Sequence, residues 1–304
     1  MPVIWALAGV YALLLFSSLL VKVLRHRTGS DYRELGDRIR SWWVMVVIFT
    51  LAIAVSLTIS IIFLAFISFL AFKKFLSMIP TRRVDRRVIF WAFVAIPVQF
   101  YWVAIGWYGM FIIFIPVFMF LIIPARMVLA GETDGFLKAA GTLHWGLMTT
   151  VFSLSHAAFL LVLPAEKNLA GGAGLLFFLI FLTQFNDVAQ YTWGKLFGKN
   201  PVVPKVSPKK TKEGLLGGVL TAVLAAWLIA PYLTPFSYQE ALAAGLLIGL
   251  GGFLGDVVIS AIKRDIGVKD SGNLIPGHGG IMDRVDSLTF TSPLFFHYLH
   301  YLHY

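Results

Sequence analysis

Between Ser260 and Ser287 the chain gathers much of its reactive chemistry into one polar, glycine-rich block. Lys263, Arg264, Lys269 and Arg284 supply the cations, and Asp265, Asp270, Asp283 and Asp286 the acids, with a Gly277-His278-Gly279-Gly280 turn among them. Handling a phosphate needs this mixture: carboxylates as oxygen ligands for a hard divalent cation, and cations with backbone N–H groups for the phosphate oxygens. Asp283 and Asp286 are spaced i, i+3, so on a helix they share a face and can hold one such ion at a hydrated membrane surface. Arg284 between them points elsewhere, toward a phosphate or to balance charge. The glycine turn can expose consecutive N–H groups of Gly279 and Gly280 to an anion, with His278 placed to donate to a phosphate or relay a proton.

Other candidates lie upstream. Asp256 sits inside an apolar segment just after Gly251-Gly252-Phe253-Leu254-Gly255, and Asp256, Ser260 and Lys263 recur at i, i+4 and i+7 as one polar stripe. An intramembrane acid marks function by default, but Asp256 paired with a lysine could equally pack two helices. Asp187 is a further acid in an apolar run, flanked by Asn186 and Gln190, which as a set could serve packing alone. The stretch Pro204–Gly214 places Ser207, Lys209 and Lys210 before an apolar segment, where free N–H groups at a helix start favour phosphate. A basic loop that merely sets topology is the alternative, and that is the role read for Lys195, Lys199 and Lys212. His297, His300 and His303 recur every third residue beside Tyr298, Tyr301 and Tyr304; an aromatic membrane-end anchor explains them better than metal spacing.

The elements that must hold these groups are membrane helices. Of 304 residues, 59% are hydrophobic and only 13% charged, about half the charged share of a soluble domain. No cysteine is present, which excludes thiolate metal sites and cysteine nucleophiles. The net charge of +10 sits in short loops between apolar runs, which points to lipid headgroups and phosphorylated substrates and not to nucleic acid. Segments 3–23, 146–164, 173–194, 214–234 and 239–262 are each near the ~20 residues that cross a bilayer. The first reads as a retained anchor with its N-terminus outside. Val88–Ile123 divides at Gly106-Trp107-Tyr108-Gly109 into a hairpin, and Trp42–Phe72 bends at Ser56–Ser60. With that bend, 24 of the 25 Lys and Arg residues fall on one side, leaving Lys167 opposite. The expected fold is all-α: a polytopic integral membrane protein of nine to ten transmembrane helices, the last of which (288–304) is short. Residues 1–144 are read as amino-terminal membrane helices and 145–304 as the catalytic membrane domain.

The block also resembles the signature of phosphatidate cytidylyltransferases, the CDP-diacylglycerol synthases. Ser260-x-x-Lys263-Arg264, Lys269-Asp270-Ser271-Gly272, Pro276-Gly277-His278-Gly279-Gly280 and Asp283-Arg284-x-Asp286 occur in the family's order, and Ser207–Gly214 looks like a second family element. Asp187 falls on a third, from which Val188-Ala189-Gln190 departs; that step is expected to reshape the substrate pocket. The resemblance implies CTP + phosphatidate → CDP-diacylglycerol + diphosphate. It implies Asp187, Asp256, Lys263, Asp283 and Asp286 as catalytic, with Mg²⁺ or another divalent cation on Asp256, Asp283 and Asp286. Ser207, Lys209, Lys210, Ser260, Arg264, Lys269, Asp270, His278, Gly279, Gly280 and Arg284 would bind substrate. The implied location is the bacterial inner membrane with the site facing the cytoplasm; self-association into a homodimer stays open. A CTP-dependent transferase for another lipid phosphate is the alternative. A transporter would also use intramembrane acids near glycine-interrupted helices, but does not explain the phosphate-binding loop.

Overall fold

A computed structural model describes residues 2–28, 33–79, 82, 85–129, 131–164, 170–268 and 280–304; side chains at 25, 27, 28, 33–35 and 38 are also outside the description. Lys269, Asp270, His278 and Gly279, and Lys167 opposite the basic loops, therefore lie outside the described residues. The fold is a helical membrane bundle. Its helices are α1 (Pro2–Thr28), α2 (Arg33–Val55), α3 (Leu57–Met78) and α4 (Arg86–Ala104). After them come α5 (Tyr108–Val128), α6 (Phe136–Val162), α7 (Gly171–Phe197), α8 (Lys212–Leu233) and α9 (Tyr238–Asp265). A single turn, α10 (Met282–Val285), leads into α11 (Leu288–His303). Among the described residues, eight of these helices are long and apolar enough to cross a membrane; α2 adds a shorter apolar stretch, Ile39–Val55, and α11 has only 16 residues, roughly 24 Å of helix.

Local chemistry explains the breaks. Ser56 is extended (φ −165°) and its Oγ accepts the Ile59 N–H at 3.2 Å, so it ends α2 and caps α3. Residues 42–72 are thus two helices and not one long span. The break between α4 and α5 falls at Gly106, whose φ of +67° suits glycine. A capping box, with the Ser237 side chain and Glu240 serving each other's N–H groups, starts α9. The stretch before α8 is more ordered than a loop: β1 (Pro201–Val203) and β2 (Ser207–Thr211) form an antiparallel hairpin, Pro201 opposite Thr211 and Val203 opposite Ser207. Prolines 201 and 208 are tolerated because each strand of an isolated pair has a free edge. Thr211 then accepts the Gly214 N–H at 3.2 Å and caps α8.

Contacts at the helix ends establish how the spans alternate. Tyr11 donates to Thr50 (3.0 Å) and Trp43 to Ser18 (3.1 Å), pairing α1 and α2 antiparallel. At one end of the bundle Arg82 grips Asp85 and the carbonyls of Glu132 and Asp134, and Arg264 donates to the Val206 carbonyl at 3.2 Å. At the other end Tyr108 stacks on His300 at 4.4 Å, Tyr304 donates to Pro164 O, and Tyr298 to Glu240 O. Since α4 leads from Arg82 to Tyr108, the described basic connections share the end that carries the Ser260–Ser287 block. His297, His300 and His303 belong to the opposite, aromatic end, where His303 lies 3.5 Å from Glu240.

One apolar core joins the halves: Phe72 and Phe75 of α3, Phe111 of α5, Phe178 of α7, and Phe295 and Phe296 of α11 are fully buried or nearly so. Helix α6 runs through the boundary drawn at 144. Buried polar side chains serve as helix glue, as where Ser68 donates to Thr150 O at 2.6 Å and Gln99 to Phe111 O at 3.0 Å. This topology predicts that, in the cysteine-free chain, cysteines at Thr133 and Lys199 label from the same side of intact cells or sealed vesicles. A cysteine at Gln239 labels from the opposite side. Opposite labelling of Thr133 and Lys199 would rule the arrangement out.

Candidate active site

Four elements converge at the basic end. Helix α9 carries Asp256, Ser260 and Lys263 to its last turns; β2 carries Lys210; α10 and the residues after it carry Asp283, Arg284, Asp286 and Ser287; and α7 carries Asp187. On β2 Lys209 is exposed while Lys210 turns inward, where its Nζ lies 2.5 Å from Asp256 Oδ2 and 5.2 Å from the centre of the Phe253 ring. The other Asp256 oxygen accepts from Ser260 at 3.2 Å. Lys263 turns off the expected stripe and reaches Asp283 Oδ1 at 2.7 Å, while Asp283 Oδ2 accepts the Gly280 N–H at 3.0 Å. Both ion pairs are largely shielded, with side chains 11–27% exposed.

Asp286 lies deeper than a hydrated membrane face would place it; the residue is only 9% exposed. The cause is Gly255. A Cβ there would stand 2.5 Å from the Asp286 carbonyl oxygen and 3.2 Å from Ser287 Cα, so only glycine lets this chain segment lie against α9. Burial raises the Asp286 carboxyl well above the usual carboxylate range, and the negative charges of Asp256 and Asp187 push the same way. Its own Oδ1 accepts the Ser287 N–H at 2.8 Å. Asp283 pairs with Lys263, whose charge also reaches Asp286, and Asp286 lies beside Asp256 and Asp187. Ile281, Asp286 and Ser287 keep helical backbone angles on either side of the α10 turn, so the i, i+3 spacing is a helical one.

Asp187 joins the site through a residue that motif reading passed over. Ser287 donates from Oγ to Asp187 Oδ1 at 3.0 Å, tying α7 to the entrance of α11. Its position between an acid and an apolar run is a helix-start signal, which was available in the sequence. The neighbours of Asp187 serve packing, since Asn186 and Gln190 both donate to Gly249 O, at 3.2 and 3.5 Å. In the Val188-Ala189-Gln190 step, Val188 is half exposed, Ala189 is buried, and Gln190 fills the space against Gly218. Ser207 pairs across the hairpin and Arg264 braces it, so both hold Lys210 in place. An apolar groove of about 460 Å³ between α7 and α8, lined by Trp193, Phe197 and Leu220 among others, includes none of the candidate acids.

Arg284 has a buried Nε with no hydrogen-bond partner among the described residues, and its charge acts on Asp187. A buried cationic N–H left open beside carboxylates is a donor for an incoming anion. Whether the acids suit Mg²⁺ is a separate matter. Among the described residues no three Asp, Glu or His side chains gather into a closed cage. Mg²⁺ does not need one, because it keeps several waters and is held by one or two carboxylates plus substrate phosphates. One or two of the carboxylates of Asp256, Asp283 and Asp286 fit that mode.

The signature of the cytidylyltransferase family matches residues 36–302. The chain belongs to the cytidylyltransferase family. Over nearly its whole length it is similar to the uncharacterized protein YnbB of Escherichia coli (strain K12), 47% identical across 97% of this chain and 98% of that one. It is 39% identical to a phosphatidate cytidylyltransferase of Mycobacterium leprae (strain TN) over 54% of this chain and 51% of that enzyme. Against the phosphatidate cytidylyltransferase of Synechocystis sp. it is 48% identical over 37% of this chain and 39% of the enzyme. These matches to named enzymes thus span about half of their length or less. The glycine contact gives this member of the family a testable weakness. Gly255→Ala should cost about 1–3 kcal/mol of stability through overpacking and displace Asp286. Thermal unfolding in detergent checks this against Gly9→Ala, where an added Cβ meets nothing within 4 Å. Equal melting of the two variants would show that the close approach carries no weight.

Proposed function

We propose that the chain transfers CMP from CTP to phosphatidate, forming CDP-diacylglycerol and releasing diphosphate, at the cytoplasmic face of the membrane in which it lies. The observation that carries this reading is the meeting of Lys210, Lys263 and the open Arg284 Nε with Asp187, Asp256, Asp283 and Asp286 at the basic end of the bundle. A nucleotide from water and a phosphate anchored in lipid can meet only at such an end. The positive-inside rule assigns that end to the cytoplasm, and the activity named for the relatives matches the chemistry.

In the reaction a phosphate oxygen of the lipid attacks the α-phosphorus of CTP in line with the departing diphosphate. The attacking monoester is already anionic, so no strong general base is required; alignment and charge neutralisation are. Lys210 and Lys263 on their flexible stems neutralise the nucleotide's phosphates, and Arg284 offers its free N–H to a phosphate oxygen. One or two of Asp256, Asp283 and Asp286 would hold Mg²⁺, which when bound would supply Lewis-acid polarisation of the phosphate oxygens. Ser287 orients Asp187, and Gly255 keeps Asp286 against α9. A second reading, transfer to a different lipid phosphate, is favoured by the full-length likeness to YnbB and the shorter match to the phosphatidate enzymes.

Turnover of CTP by the purified protein with phosphatidate and two other lipid phosphates separates the two readings by kcat/KM. Asp187→Ala and Asp286→Asn should each lower kcat at least about 100-fold on every acceptor, the scale of losing a preorganised charge contact. Near-normal rates in both would remove these acids from the chemistry. Arg284→Gln should raise KM for one phosphate substrate about 10- to 100-fold, as expected for a charge-assisted hydrogen bond of roughly 1.5–3 kcal/mol. An unchanged KM for every substrate would leave Arg284 without a phosphate to bind.

A further inference from the structure

All four carboxylate oxygens of Asp256 and Asp283 are engaged within the protein. Asp256 receives Lys210 on Oδ2 and Ser260 on Oδ1; Asp283 receives Lys263 on Oδ1 and the Gly280 N–H on Oδ2. Each lysine ammonium takes a lone pair of its carboxylate and sets a positive charge beside it, so each acid holds a divalent cation more weakly while its lysine stays. The two lysines come from different elements, β2 and α9, yet close on the site alike. Lys210 sits on an arm held at fixed points: Arg264 grips Val206 O, Lys212 N–H donates to Asn200 O at 2.8 Å, and Thr211 caps α8. With its backbone held, only the four-carbon stem of Lys210 is left to move, and an ammonium on such a stem can pass from a carboxylate to a phosphate.

We propose that Lys210 and Lys263 are latch residues that keep divalent cation off Asp256 and Asp283 until a nucleotide triphosphate draws them away. Cation and nucleotide then bind as a coupled pair, because each lysine released to a phosphate frees an oxygen for the metal. The proposal rests on the reading of this site as nucleotide-binding. It assigns to the lysines a positioning role distinct from phosphate neutralisation: they set the order in which the site fills.

The test is Mn²⁺ binding to the full chain in detergent, followed by the electron paramagnetic resonance signal of free Mn²⁺, with and without a CTP analogue carrying a methylene bridge between the α and β phosphorus atoms. The wild type should bind Mn²⁺ about tenfold or more tighter with the analogue, within the usual range of coupling between sites. Without nucleotide, Lys210→Met should bind Mn²⁺ about tenfold tighter than wild type. Lys210→Arg should behave as wild type, and adding Asp256→Asn to Lys210→Met should abolish the gain. Lys263→Met provides the same nucleotide-free comparison at Asp283 should Lys210→Met fold poorly. Equal nucleotide-free affinity in wild type and both Met variants overturns the latch. So does wild-type affinity that ignores the analogue. Failure of the wild type to bind Mn²⁺ even with the analogue overturns the metal assignment itself, and the latch with it, whereas CTP turnover independently reports on the reaction.

Discussion

The site depends on one close approach, the seating of the Asp286–Ser287 backbone against α9 at Gly255. Where a side chain at 255 would begin, the Asp286 carbonyl already stands, 2.5 Å from the position of the missing Cβ. Everything downstream follows from that contact. Asp286 is buried beside Asp256, and Ser287 reaches Asp187 on α7. The α10 turn lies where Asp283 can meet Lys263. Moving the segment outward far enough to admit a methyl would loosen three helices from one another at once.

A second constraint is the cost of charge in an apolar protein. Carboxylates at the edge of a bilayer survive where they are paired or hydrogen bonded. Here Asp256 and Asp283 have lysines, Asp187 has a serine hydroxyl, and Asp286 has a backbone N–H. The same pairings make the acids available, since an ion pair formed with a mobile lysine can be exchanged for one with a phosphate and a metal. Packing and chemistry are therefore not rival explanations of Asp256. Its lysine holds β2 against α9, and that contact also stores a cation next to the place where a nucleotide's phosphates are proposed to lie.

The remainder of the bundle is built to hold that end still. The opposite end is closed by aromatic and histidine contacts, Tyr108 on His300 and Tyr298 on Glu240 O, that anchor α11 to α5 and α9. Phenylalanines of α3, α5, α7 and α11 fill the middle. Glutamine, serine and threonine side chains bond across helices where lipid-like packing alone gives no direction.

What the sequence by itself determined is what repeats or is local. The membrane class, the breaks at Ser56 and Gly106, the shared side of the basic loops and the family motifs all follow from composition, hydrophobic length, capping chemistry and charge, which act within a few residues. Only the tertiary structure decided partners. Spacing put Asp256, Ser260 and Lys263 on one stripe, yet Lys263 went to Asp283, Asp256 took Lys210 from a hairpin 46 residues earlier, and Asp286 was buried. Ser287 acquired its role only by meeting Asp187, 100 residues away. Of Val188-Ala189-Gln190, Val188 turned to the outer surface and Gln190 to a helix crossing. Ion pairs and close backbone contacts between distant segments depend on how helices cross, and helical periodicity carries no record of which helix will lie opposite.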